Sequence, residues 1–154
     1  MRLLIRSLEL VVTALMAVIA ALVIAEVALR NLFGMSLIVT DELSRSLMVW
    51  TALLAAALLV HEDGHVRITL VTDALPPAPA TALYVVAQLV VLCFLALLIV
   101  SSLALMPSLS EQNTVTLGVS IVWFYAALPI AGGLMFLFTV INLVVRLSHR
   151  RRAG

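Results

Sequence analysis

Four apolar runs, each about long enough to cross the roughly 30 Å hydrocarbon core of a bilayer, dominate the chain. They cover approximately Leu8–Leu29, Glu42–Val60, Ala80–Met106 and Ile121–Val145. The segments between them are short and carry most of the ionisable groups. Charged residues make up only 11% of the chain and the mean hydropathy is +1.24, whereas soluble domains run near 25% charged. A water-soluble catalytic globule is excluded. The expectation is an all-α membrane protein. Four transmembrane helices form a bundle as one domain over residues 1–154, with a short interfacial segment between the second and third.

Charge placement sets the expected orientation. There is no lysine, and all nine cations are arginines. Arg2 and Arg6 precede the first span, Arg67 lies in the second loop, and Arg146, Arg150, Arg151 and Arg152 follow the last span. The first loop has only Arg30 at its edge and the third has none. By the positive-inside rule both termini and the second loop are cytoplasmic. The first apolar stretch is too long for the usual 7–15-residue core of a signal peptide and is read as retained. Cys93, the single cysteine, is read as a small buried hydrophobe. The arginines of the tail are too few and too close to the bilayer for nucleic-acid binding; they are read as an anchor to anionic lipid headgroups.

Within the first span, Ala14, Ala17, Ala21, Ala25 and Ala28 recur every three or four residues, a small-residue face expected to meet another helix. Glu26 and Arg30 are spaced for an intrahelical ion pair, and Gly34 suits a helix C-cap. In the second span the uninterrupted apolar part, Leu47–Val60, is only about 14 residues, short of the roughly 20 required. The helix therefore has to draw Asp41, Glu42, Ser44 and Arg45 toward the membrane boundary. Thr40 or Asp41 is expected to cap it, and Glu42 is the expected partner of Arg45. An arginine at this depth is either a snorkelling interfacial residue or part of a structural or partner-facing ion pair. Pro129 and Ala131-Gly132-Gly133 predict a bend or a close helix contact in the fourth span.

Two apparent chemistries are weak. His61-Glu62-Asp63-Gly64-His65 matches the zinc-protease pattern H-E-x-x-H, but Gly64 falls where the helix should end and no third ligand is evident. Glu26 invites comparison with four-span proton-coupled exporters of small molecules, the alternative functional reading. Its outer position and the nearby Arg30 fit a structural ion pair better. The residues call for no metal or cofactor.

Two stretches carry a family likeness. One is Arg30-Asn31-Leu32-Phe33-Gly34, then Asp41-Glu42-Leu43-Ser44-Arg45-Ser46-Leu47-Met48-Val49-Trp50, then Gly64-His65-Val66-Arg67-Ile68. The other is Gln112-Asn113-Thr114, Leu117-Gly118-Val119, Tyr125-Ala126 and Pro129. In order and spacing the chain resembles the small integral-membrane subunit of tripartite ATP-independent periplasmic (TRAP) transporters, the DctQ-like family. It departs at Ala55–Ala57, where relatives often carry a glycine. The resemblance implies a non-catalytic inner-membrane subunit without cofactors. Such a subunit braces a large, sodium-coupled membrane subunit and helps dock a periplasmic binding protein that delivers organic anions such as carboxylates or sugar acids. It makes Glu42, Arg45, Trp50, His65 and Arg67 candidates for the assembly interface. Asp41, Glu111 and Gln112, on the two outer loops, are candidates for periplasmic docking.

Overall fold

The computed structural model describes residues 2–34, 38–61 and 77–153. The chain forms α1 (Arg2–Phe33), α2 (Ile38–His61), α3 (Pro77–Ser110), the single turn α4 (Val122–Tyr125) and α5 (Ala127–Ala153). Among the described residues four helical stretches are long and apolar enough to cross a membrane, so the all-α four-span expectation holds. Each long helix outruns its apolar run, because polar residues at the bilayer surface continue the helical hydrogen bonding. The expected interfacial segment before the third span lies outside the described residues.

The helix ends follow local chemistry. Gly34 adopts φ +65°, and its N–H donates to the Arg30 carbonyl at 3.1 Å. This is the left-handed cap the sequence anticipates. Neither Thr40 nor Asp41 caps α2, because that helix already starts at Ile38. Both residues fall in its first turn, where the acid still suits the helix dipole. The last span is interrupted at Ala126, between α4 and α5. Pro129 has no N–H to give the Tyr125 carbonyl, and its ring crowds that turn, so the interruption falls one turn before it.

Among the described residues the long helices pack in series, α1 on α2, α2 on α5 and α5 on α3. The half-buried residues of α1 are Ile5, Leu8, Val12, Leu15, Ile19, Leu22, Glu26 and Leu29. Their alternating spacing of three and four is a heptad seam, and it faces α2, the one helix packed on α1 among the described residues. The alanine face from Ala14 to Ala28 is exposed instead. Among the described residues it does not meet another helix, contrary to the expectation from small residues. With one neighbour available, the larger side chains make more dispersion contacts and take the interface.

The core lies along α2, α5 and α3, where Leu54, Ala57, Ala131, Phe138 and Leu95 are buried. The small patch of α5 acts as expected. A Cβ added at Gly132 would come within 3.1 Å of Leu98 Cδ2 and 3.2 Å of Ile99 Cγ1, so the missing side chain is what lets α5 approach α3. Two threonine hydroxyls inside the spans turn back on their own helices. Thr51 donates to the Leu47 carbonyl at 2.7 Å and Thr139 to the Met135 carbonyl at 2.7 Å, which removes their polar cost in lipid. The buried Gln88 amide donates to the Tyr84 hydroxyl at 2.8 Å. Cys93 is exposed on α3 rather than buried, because among the described residues that helix packs only on α4 and α5 and leaves most of its surface open.

Candidate functional site

The polar residues gather where α2 begins and α3 turns into α4. The connection is a compact hairpin. Asn113 and Ser120 bridge in antiparallel fashion, Thr114 N–H donates to the Val119 carbonyl at 2.9 Å, and Ile121 N–H to the Gln112 carbonyl at 3.0 Å. The Thr114 hydroxyl accepts from Val119 N–H at 3.2 Å. The turn requires Gly118, at φ +63°, a region costly for residues with a Cβ. Its N–H closes on the Thr114 carbonyl at 3.1 Å. The hairpin is therefore braced internally before it meets α2.

Three long-range hydrogen bonds then tie α2 to the second half of the chain. At the hairpin end, Glu42 Oε2 accepts from Thr116 N–H at 3.2 Å. Deeper, Trp50 Nε1–H donates to the Trp123 carbonyl at 3.2 Å. At the far end, Asn142 Nδ2–H donates to the Val60 carbonyl at 2.9 Å, one of the four carbonyls a helix end leaves unpaired. Eighteen residues of α2 separate the first tie from the last, a rise of about 27 Å. That distance is close to the roughly 30 Å thickness of a bilayer's hydrocarbon core.

The ion pairs differ from those expected. Arg45 pairs with Asp41 at 3.2 Å, not with Glu42, and this is the only ion pair among the described residues. Asp41 is four residues from Arg45, the spacing that aligns side chains along a helix, while Glu42 is drawn away to Thr116. Glu26 and Arg30 are not bridged: Glu26 is half-buried on the seam toward α2, and Arg30 is exposed beyond it. Arg45 and Asp41 keep 79% and 72% of their side-chain surface exposed, so the pair lies open at the surface of this chain.

Among the other predicted residues, Trp50 serves a contact within the chain. Glu111 and Gln112 are exposed at the end of α3, and the Gln112 amide caps that helix at the Ser108 carbonyl, 3.4 Å away. His65 and Arg67 lie outside the described residues. His61, first of the H-E-x-x-H residues, is the last residue of α2, its ring centroid 5.1 Å from that of Phe138. No group of three or more potential metal ligands occurs among the described residues. Thr116 and Asn142 were not singled out from the sequence. An asparagine amide inside an apolar span was the available signal, since such a group requires a partner. Thr116 contributes only its backbone N–H, which no residue type betrays.

A half-open cleft of about 650 Å³ lies between the start of α2, the hairpin and the α4–α5 junction. Asp41, Glu42 and Arg45 line one wall, and Phe124 and Leu128 lie on the other.

Residues 19–149 match the family of tripartite ATP-independent periplasmic transporters, DctQ component. The chain is 33% identical over 92 residues to a TRAP transporter small permease protein of Haemophilus influenzae, covering 58% of this chain and 57% of that protein. It is 27% identical over 127 residues to the sialic acid TRAP transporter small permease protein SiaQ of Vibrio cholerae, covering 82% of this chain and 73% of that one. The match thus spans little more than half the length of the Haemophilus relative.

Proposed function

Because the chain belongs to the DctQ component family of tripartite ATP-independent periplasmic transporters, we propose that it is the non-catalytic small subunit that braces a large membrane subunit. In this reading the large subunit moves and this chain stays still. The observation that carries it is the set of three ties holding α2 to the hairpin, to α4 and to α5 over about 27 Å. A brace needs helices fixed to one another at several depths, and these bonds supply that. Among the described residues the serial packing leaves the outer flanks of α1 and α3 without a neighbour, which would give a partner surfaces to pack against.

The exposed Arg45 belongs to the assembly surface in this proposal, together with His65 and Arg67 on the second loop. Glu42 and Trp50 support it indirectly by fixing the backbone that presents Arg45. Asp41, Glu111 and Gln112 help receive the periplasmic binding protein. The transporter carries organic anions, carboxylates or sugar acids, coupled to sodium. The Vibrio relative is named for sialic acid, which is in line with that substrate class. The protein sits in the bacterial inner membrane with both termini cytoplasmic, the orientation its arginines favour.

Co-expression of the tagged chain with its large subunit tests the brace. The two are expected to co-purify from detergent, and Arg45→Ala to lower the yield of the pair while leaving substrate preference unchanged. Failure of the unmodified chain to retain the large subunit contradicts the proposal. An unchanged yield for Arg45→Ala removes that residue from the interface.

A further inference from the structure

We infer that the cleft at the hairpin end binds the headgroup of one phospholipid bearing a primary ammonium, of the phosphatidylethanolamine type. Its volume, about 650 Å³, is within the range of sites that hold a small organic group. The order of its chemistry along α2 is the decisive feature. Asp41, Arg45 and Val49 all line it and are spaced four residues apart, so each lies one turn, about 6 Å, further along the helix axis than the last.

From the hairpin end inward the wall therefore reads acid, guanidinium, hydrocarbon. A phosphatidylethanolamine molecule reads ammonium, phosphate, acyl chain from the water inward. The two sequences are complementary at every level. Asp41 and Glu42 face an ammonium, Arg45 faces a phosphate, and Val49, Phe124 and Leu128 face the start of the chains.

The groups have bonding capacity left for such a ligand. Arg45 gives one N–H to Asp41 Oδ2, out of the five that a guanidinium carries. Glu42 has one oxygen on Thr116 N–H and a second to offer. A guanidinium matches phosphate geometry, and carboxylates accept from ammonium N–H groups in charge-assisted hydrogen bonds. The cleft is open to the surroundings, with Val49 and Tyr125 exposed to 44% and 43%. A molecule already in the bilayer can therefore enter from the side. A soluble substrate would leave the apolar floor in contact with water, which the hydrophobic effect disfavours. Every residue of the site comes from this chain, and it shares Arg45 and Asp41 with the assembly and docking surfaces proposed above.

The experiment uses the full-length chain in nanodiscs made with equal parts phosphatidylethanolamine, phosphatidylcholine and phosphatidylglycerol. The chain is then transferred to mild detergent, and retained lipid is read by native mass spectrometry. Phosphatidylethanolamine is expected to be retained about tenfold over phosphatidylcholine, whose quaternary ammonium lacks N–H donors; that ratio corresponds to one charge-assisted hydrogen bond. Asp41→Asn combined with Glu42→Gln should abolish the preference, whereas Arg45→Gln should lower the retention of both lipids, which share the phosphate. Leu128→Trp and, separately, Val49→Trp should fill the floor and lower total retention without changing a charge, each checked for an unaltered helical circular dichroism spectrum.

Equal retention of phosphatidylethanolamine and phosphatidylcholine overturns the inference, as does a preference that survives the combined Asp41→Asn and Glu42→Gln change. Displacement of the lipid by free phosphoethanolamine at equal concentration would reassign the cleft to a soluble phosphate ester. Retention of no lipid, with labelling of the cleft blocked only on co-expression of the large subunit, would reassign it to a protein segment. Either outcome contradicts the lipid site.

Discussion

Adjacent glycines on α5 predict stability changes of opposite sign. A methyl group at Gly132 would lie 3.1 Å from Leu98 Cδ2 and 3.2 Å from Ile99 Cγ1, whereas carbon atoms prefer about 3.5–4.0 Å. The contacted atoms are the outer parts of flexible side chains, so alanine asks for a shift of a few tenths of an ångström. Valine adds branches that the contact with α3 cannot absorb, and overpacking of this kind costs about 1–3 kcal/mol. A methyl group at Gly133 would meet nothing within 4 Å. Alanine there removes the helical penalty of glycine and should gain up to about 1 kcal/mol. Reversible unfolding of each variant in mixed detergent micelles, followed by circular dichroism, measures both changes. If Gly132→Val is as stable as the unmodified chain, or Gly133→Ala is the worse of the two, the assigned contact between α5 and α3 is wrong.

Three further outcomes follow from single contacts. Gly118→Val should cost about 1–3 kcal/mol by forcing a branched residue into the left-handed region, and should speed proteolysis of the hairpin more than of any helix. Asn142→Leu removes the tie to the Val60 carbonyl. Because interhelical hydrogen bonds in membranes average about 0.6 kcal/mol, the loss should be small in stability but visible as faster amide exchange at the end of α2. Trp50→Phe deletes the donor to the Trp123 carbonyl and should change the fluorescence of Trp123 while the helix content stays constant.

Much of this architecture was legible from hydropathy, because lipid demands helices that satisfy their own backbone. The Gly34 cap and the close approach at Gly132 also followed from residue type. The partner face of α1 did not. Two stripes, one of alanines and one of leucines and isoleucines, each had helical spacing, and only the packing shows that the larger residues meet α2. The choice of Asp41 over Glu42 for Arg45 was hidden for a related reason. It depends on Thr116 N–H, a backbone donor 74 residues away. The ties at Trp50 and Asn142 likewise end on backbone carbonyls, which leave no signature in a sequence. The chemistry of the cleft at the hairpin end was only half visible: the charges stood out in the second span, but their opposite wall comes from the α4–α5 junction.

Reconstituted transport tests the central claim most directly. Proteoliposomes are prepared with this chain alone, with the large subunit alone, and with both, each supplied with the periplasmic binding protein, an organic anion and an inward sodium gradient. A bracing subunit without its own path predicts uptake with both membrane chains and none with this chain alone. Robust uptake or efflux by this chain on its own, or full uptake by the large subunit without it, would contradict the account.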